Sequence, residues 1–206
     1  MAEQEPHYEA VLLLGPSGVG KTPLGELIEQ HGWSGRSCVH FDFGAQLRHI
    51  VAENAPNEWV SSDELAFLRD VLDKGALLED DRLPLAMRIL RAFLVEREVD
   101  HTTLVVLNGL PRHPGQATAV GSILTVVAVI YLQCDEQSIL ERITSNVGGD
   151  RHGREDDDPA KVLSRFQVFV ERTATLIDYY RQQGADILTV DVTATMTPDE
   201  VRRQLS

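Results

Sequence analysis

The stretch GPSGVGKT, from Gly15 to Thr22, fits the pattern G-x-x-x-x-G-K-[ST] and follows the apolar run AVLLL at residues 10–14. Few folds accommodate that pattern. A strand must deliver the loop, and a helix must leave it with its positive N-terminal end facing the same anion that the inward-turned backbone N–H groups surround. Gly15, Pro16, Ser17, Gly18, Val19 and Gly20 supply the backbone cradle, Lys21 reaches the outer phosphates, and Thr22 is the hydroxyl expected to ligate Mg²⁺. The plainer reading is a glycine-rich turn before a helix. The apolar run in front of it favours nucleotide binding.

The rest of the chain alternates between the two periodicities such a loop requires. Apolar strand patterns recur in SCVHFDF, TLVVL (103–107), TVVAVIYLQC and DILTVDV. Between them lie helical patterns: KTPLGELIEQHG, GAQLRHIVAE, SSDELAFLRDVLDKG with Ser62 or Asp63 as N-cap, DDRLPLAMRILRAFLVERE, EQSILERITS, one long helix from Pro159 to about residue 183, and TPDEVRRQL. Continuous apolar strands separated by helices predict an α/β fold of three layers, a five-stranded parallel sheet covered on both faces. NGLPRHPGQA reads as a connection, and the Gly- and charge-rich NVGGDRHGREDDDP reads as a loop or lid. Ligands of such sheets bind outside the carboxyl ends of the strands.

Charge narrows the partners. A formal net charge of −13 argues against nucleic acid, which is bound over a broad basic face. Only three of the nineteen basic residues are lysines, Lys21, Lys74 and Lys161, and arginine suits bidentate grips on phosphate. Genomic base composition explains the arginine bias equally well. The acidic N-terminus and the lack of a long apolar run predict neither a signal peptide nor a membrane span. Cys38 and Cys134 lie in apolar strands without ligand neighbours and read as buried thiols of a cytoplasmic protein. His40, His101, His113 and His152 show no ligand spacing.

Four further segments follow the phosphate loop in order: FDFGAQLR ending in Arg48; LLED after Gly75; LVVLNGLPRHPGQA with Arg112 and Gln116; and GREDDDPAKVLSRF with Arg154, Asp156, Asp157 and Arg165. Together they resemble the adenylate kinase family of nucleoside monophosphate kinases over most of the chain. The resemblance implies one domain over residues 1–206, with a helical monophosphate-binding insertion at about 40–82 and a short lid at about 144–158. It implies Mg²⁺-ATP on the phosphate loop and a nucleoside monophosphate, AMP above others, as acceptor. Arg48 and Arg112 then grip the acceptor phosphate, with Phe43, Gly44, Leu78 and Gly109 lining its site and Gln116 reading its base. Arg142, Arg151, Arg154 and Arg165 close on the donor, and Asp156 and Asp157 tether the lid. A monomer with no nucleic-acid or membrane partner is expected, and no Cys₄ set calls for zinc.

The sequence departs from the family at several points. Asn108 stands where an aspartate normally helps hold the Mg²⁺ shell, so Asn108→Asp is expected to raise Mg²⁺-dependent activity. Phe43 and Ala45 replace the usual Thr and Asp, Asn146 stands where a further arginine follows Arg142, and Thr22 follows Lys21 without the usual intervening glycine. Two other functions therefore stay open: a catalytically weak nucleotide-binding relative acting as a sensor or partner-binding module, and a phosphate-loop kinase for a non-nucleotide metabolite. Arg48, Arg142 and Arg165 each fall on a helical pattern, where a lone arginine also serves as a solvated face. The acids after Arg154 also suit a helix N-terminus.

Overall fold

Residues Ala10 to Leu14 are each no more than 2% exposed, which requires layers on both sides of the strand that carries them. The computed structural model, which describes residues 7–74, 82–150 and 158–205, supplies both. Strands β1 (Tyr8–Leu14), β2 (Cys38–Asp42), β3 (Leu104–Asn108), β4 (Leu124–Gln133) and β5 (Asp186–Asp191) form one parallel sheet in the order β2-β3-β1-β4-β5. The expected α/β architecture with five parallel strands is the one observed.

Alternate side chains along each strand feed different layers. Ala10, Leu12 and Leu14 of β1, with Phe41 and Leu107, pack against α2 (Phe43–Glu53), α3 (Ser62–Lys74), α4 (Leu83–Glu96), α5 (Pro114–Val120) and α8 (Thr175–Gln182). Val11, Leu13, Val106 and Ile130 face α1 (Lys21–His31), α6 (Glu136–Ser145), α7 (Pro159–Val168) and α9 (Pro198–Gln204). The parallel register sets Asp42 beside Asn108 and Leu13 beside Asn108, so the carboxyl ends of β2, β3 and β1 come level at one edge.

Three elements differ from the sequence reading. The helix expected from Pro159 to about residue 183 is interrupted by a π-helical turn at Phe169–Thr173, a local widening with no compositional signature. A short helix, α5, starts at Pro114, where proline is compatible with the first turn. The cap of α3 is Ser61 rather than Ser62 or Asp63: Glu64 N donates to Ser61 Oγ, and Ser61 N donates back to Glu64 Oε2. Both cysteines are free; Cys38 is buried, while Cys134 is only half-buried, and burial pushes its thiol up to about 11. Among the described residues no helix is long and apolar enough to cross a membrane.

Helix α1 lies close to β2 because of one glycine. A Cβ placed on Gly25 would fall 2.2 Å from His40 Nε2, and the His40 ring is itself 8% exposed. That histidine is a packing residue. Helix propensity alone predicts that Gly25→Ala stabilises by about 1 kcal/mol. Overpacking against a buried ring costs about 1–3 kcal/mol and reverses the sign. We therefore expect Gly25→Ala to lower the urea midpoint, and Gly25→Ala with His40→Ala to lose less than the two single losses combined. Additive losses would mean that ring and helix do not meet.

Candidate active site

The loop between β1 and α1 curls over the sheet edge because its glycines remove the obstacles. A Cβ on Gly15 would lie 2.7 Å from the Leu132 carbonyl of β4, and Gly20 holds φ +108. Lys21, first residue of α1, donates from Nζ to the carbonyls of Gly15 and Pro16 at 2.7 and 2.8 Å. The ammonium thus lies along the loop. Ser17, Gly18, Gly20, Lys21 and Thr22 line a cleft that Asp42, Gly44, Arg48, Asn108, Gly109, Arg112, Asp150 and Arg165 complete.

One corner of that cleft is a tight polar cluster. Thr22 Oγ1 donates to Asp42 Oδ2 at 2.6 Å, and Asn108 Nδ2 donates to the same oxygen at 2.8 Å and to Thr22 Oγ1 at 3.2 Å. Asp42 Oδ1 accepts from Ala45 N at 2.9 Å and so caps α2. Burial by itself would raise the Asp42 pKa. Hydrogen bonds from Thr22 and Ala45, with the charges of His40 and Arg48, outweigh burial and hold it below the ordinary carboxylate value. Asp42 is the residue that reading the sequence missed. Its only local signal is an acid between a strand and a helix, with its cap partner three residues on.

The expectation for Asn108 is corrected by this cluster. A carboxylate introduced at 108 would meet the Asp42 carboxylate, two like charges in contact, so Asn108→Asp no longer promises a gain. Thr22, Asp42 and Asn108 combine a hydroxyl, a carboxylate and an amide, oxygen-rich chemistry suited to a magnesium ion that keeps waters and takes its other ligands from phosphate. Among the described residues no group of three or more His, Cys, Asp or Glu makes a protein-only metal cage. The donor set fits Mg²⁺ carried with a nucleotide.

The cations come from separate elements. Arg48 extends from α2, and Gly44 makes room for it, since a Cβ there would lie 3.3 Å from Arg48 Nη1. Arg112 follows Gly109, whose φ of +82 turns the chain after β3, and Arg112 Nε donates to the Gly109 carbonyl at 3.0 Å. Burial lowers the Arg112 pKa; Asp42 opposes that, and the positive charge of Arg165 adds to it. The guanidinium remains charged. Arg165 of α7 reaches both this cleft and a second hollow beside it, lined also by Lys21, Arg112, Phe169 and Arg172. Arg172 is a further residue absent from the sequence reading, turned into the hollow from the π-helical turn.

Other expected residues take different places. Arg142 is 2% exposed, and its Nη1 donates to the carbonyls of Thr193 and Met196 at 2.6 and 2.7 Å, while its Nη2 is 3.1 Å from where a Gly20 Cβ would be. It backs the phosphate loop and holds the β5–α9 connection. Asn146 ends α6 in the left-handed conformation, φ +48, which suits asparagine far better than the arginine it replaces. Gln116, 2% exposed, accepts from Arg112 N at 2.8 Å through Oε1, so its carbonyl anchors the arginine loop. Phe43 is buried in the core at the start of α2. Leu78, Arg151, Arg154, Asp156 and Asp157 lie outside the described residues.

Comparison with known proteins gives a consistent result. The sequence model of the family described as adenylate kinase matches residues 13–185. The chain is 31% identical over 200 residues to an adenylate kinase of Thermus thermophilus, covering 94% of this chain and 92% of that one. It is 32% identical over 204 residues to an adenylate kinase of Parvibaculum lavamentivorans, covering 95% and 89%. Among solved structures, a gluconokinase from Sinorhizobium meliloti 1021 superposes with a TM-score of 0.53 at 18% identity, covering 98% of this chain and 91% of that one. At that identity the likeness is one of fold.

Replacing Gln116 tests the geometry of the arginine loop. Gln116→Ala deprives Arg112 N of its acceptor at a buried position, a loss of about 1–3 kcal/mol. Urea denaturation is expected to show that loss, and an unchanged midpoint would mean the loop is held otherwise.

Proposed function

We propose a reaction on the following footing: the chain belongs to the adenylate kinase family, and it is a phosphotransferase, a nucleoside monophosphate kinase. Within that class, the reading is transfer of the γ-phosphoryl of Mg²⁺-ATP to AMP, giving two ADP. The single observation that carries it is the meeting of Lys21, Arg48, Arg112 and Arg165, from three helices and one turn, in a cleft at the carboxyl edge of the sheet. A chain of net charge −13 has four cations and two carboxylates, Asp42 and Asp150, among the described residues there. That local reversal of sign serves a polyanionic ligand pair.

The chemistry needs placement more than it needs a base. The acceptor phosphate oxygen is already anionic near neutral pH, with a second pKa of about 6. It attacks the γ-phosphorus, the bond to the β-phosphate bridging oxygen breaks, and the negative charge passes to the departing diphosphate. The loop N–H groups and Lys21 hold the donor, Lys21 exchanging the Gly15 and Pro16 carbonyls for phosphate oxygens. Arg48 and Arg112 hold the acceptor phosphate, and Arg165 spans the equatorial oxygens between them. Thr22, Asp42 and Asn108 are the residues that would hold Mg²⁺ carried with ATP, which would supply neutralisation of the donor's phosphate charge.

The arginines also explain their own spacing. Arg112 and Arg165 repel each other across the cleft, and a phosphate between them converts that repulsion into two attractions. Gln116 supports adenine because its amide offers an acceptor and donors in one plane. Its Oε1 already accepts from Arg112 N, which leaves the second lone pair of that oxygen and the Nε2 donors to meet a base. Relatives over most of the chain are named adenylate kinases, which supports the same acceptor. The insertion at about 40–82 and the lid at about 144–158 are the segments proposed to close over the two nucleotides.

The test is a transfer assay with Mg²⁺-ATP and AMP, CMP, UMP or GMP separately, the diphosphates being resolved by chromatography. ADP formed with AMP, above an ATP-only control, is the expected result. Preference for another monophosphate would overturn the AMP assignment, and transfer only to a hydroxyl acceptor would support a metabolite kinase instead. In the same assay Arg112→Ala is expected to raise the acceptor KM and lower kcat at least about tenfold. Unchanged kinetics would remove Arg112 from the site.

A further inference from the structure

At the carboxyl edge of the sheet the negative charge beside the phosphate-loop threonine comes from the end of β2 and not from β3. The end of β3 carries the neutral Asn108. The register puts Asp42 directly beside it at the end of β2, and the carboxylate oxygen Oδ2 lies 2.8 Å from Asn108 Nδ2. The same oxygen is 2.6 Å from Thr22 Oγ1, the hydroxyl that follows the phosphate-loop lysine. Asp42, Asn108 and Thr22 all line the cleft.

We propose that Asp42 supplies the carboxylate that orients the donor's divalent cation, with Asn108 as the positioning residue that aims it. The inference rests on the reading of the donor as a metal–nucleotide complex. Capping of α2 does not account for the arrangement, because Ala45 N takes Oδ1 and leaves Oδ2 to Thr22 and Asn108. Capping does not require a charge either, since asparagine caps as well as aspartate. What asparagine at 42 would lack is the negative charge. Asn108, unlike aspartate, donates a hydrogen bond, and that donation fixes Oδ2 toward the threonine hydroxyl. The two residues therefore form one unit, an acid on β2 and its amide partner on β3.

Asn108 also explains why a single substitution back to the family residue would fail. Aspartate at 108 replaces the donor with a second acceptor against Asp42 Oδ2, so the two carboxylates repel and neither is aimed. Exchanging both positions restores one acid and one amide in mirrored order.

The experiment follows Mn²⁺ by electron paramagnetic resonance in the complex with β,γ-methylene ATP, and separately follows binding of that analogue in excess EDTA. No acceptor is present, so the result does not depend on which monophosphate is used. Asp42→Asn is expected to weaken Mn²⁺ in the complex at least about tenfold, as for groups that orient a bound metal. Metal-free binding of the analogue is expected to stay within about threefold, since the phosphate loop and its lysine hold it. Asn108→Asp gains nothing, and the exchange Asp42→Asn with Asn108→Asp recovers Mn²⁺ affinity to within about threefold of the starting protein. Thermal midpoints of all variants report folding, and the exchange variant keeps the test decisive where Asp42→Asn is unstable. Mn²⁺ affinity unchanged in Asp42→Asn, or a gain in Asn108→Asp alone, would overturn the inference while leaving the kinase reading intact. Failure of the unaltered protein to bind the analogue at all would overturn both.

Discussion

The hydrogen bond from Thr22 to Asp42 joins the phosphate loop's helix to the end of β2, and the site is built outward from it. It exists because the sheet is in register. Cys38 pairs with Leu104 at one end of β2 and Asp42 with Asn108 at the other, so five paired positions bring a carboxylate and an amide level beneath α1. A slip of one residue would turn Asp42 toward the opposite face and Phe41 out of the core. Gly25 lets α1 approach β2 closely enough for the bond to form, with the His40 ring filling the space that a side chain would take. Packing and polar chemistry are thus set by one contact between two elements.

From that corner the electrostatics follow. Lys21 and Thr22 are adjacent on α1, so the residue that binds phosphate and the residue that meets Asp42 move together. The arginines arrive from elements whose own positions are fixed by apolar packing: Arg48 on α2 beside the buried Leu47, Arg112 after β3, and Arg165 on α7 three residues past the buried Val162. Their mutual repulsion is tolerable in a partly open cleft and becomes favourable when phosphate enters. Arg142 is used differently, its charge set against carbonyls behind the loop. One arginine therefore stiffens the cradle while the others face into it.

The parts of this arrangement that were legible in the sequence are those governed by short-range rules. Apolar runs at strand length gave the sheet, and the spacing of glycines around Lys21 gave the loop. Arg48, Arg112 and Arg165 were found through an ordered resemblance, and the structure places all three on the cleft. Asp42 was not found because its role depends on which strand lies beside β2, and neighbour order across a parallel sheet leaves no local trace. Asn108 was read as a lost charge for the same reason. Arg172 is hidden by the π-helical turn, which places it on the hollow beside the cleft without any change in the pattern of apolar residues. Gln116 was read for its amide chemistry, while its burial against Arg112 N is a tertiary fact.

In the proposed reaction two phosphate-bearing nucleotides meet between Lys21 on one side and Arg48 and Arg112 on the other. The most direct test is a crystal structure of the chain with Mg²⁺, β,γ-methylene ATP and AMP bound together. The donor's terminal phosphate is expected over the loop with Lys21 drawn off the Gly15 and Pro16 carbonyls, the acceptor phosphate between Arg48 and Arg112, and the two phosphates facing each other in line. An AMP phosphate bound away from both arginines, or a donor whose phosphates avoid the Gly15–Thr22 loop, would contradict it.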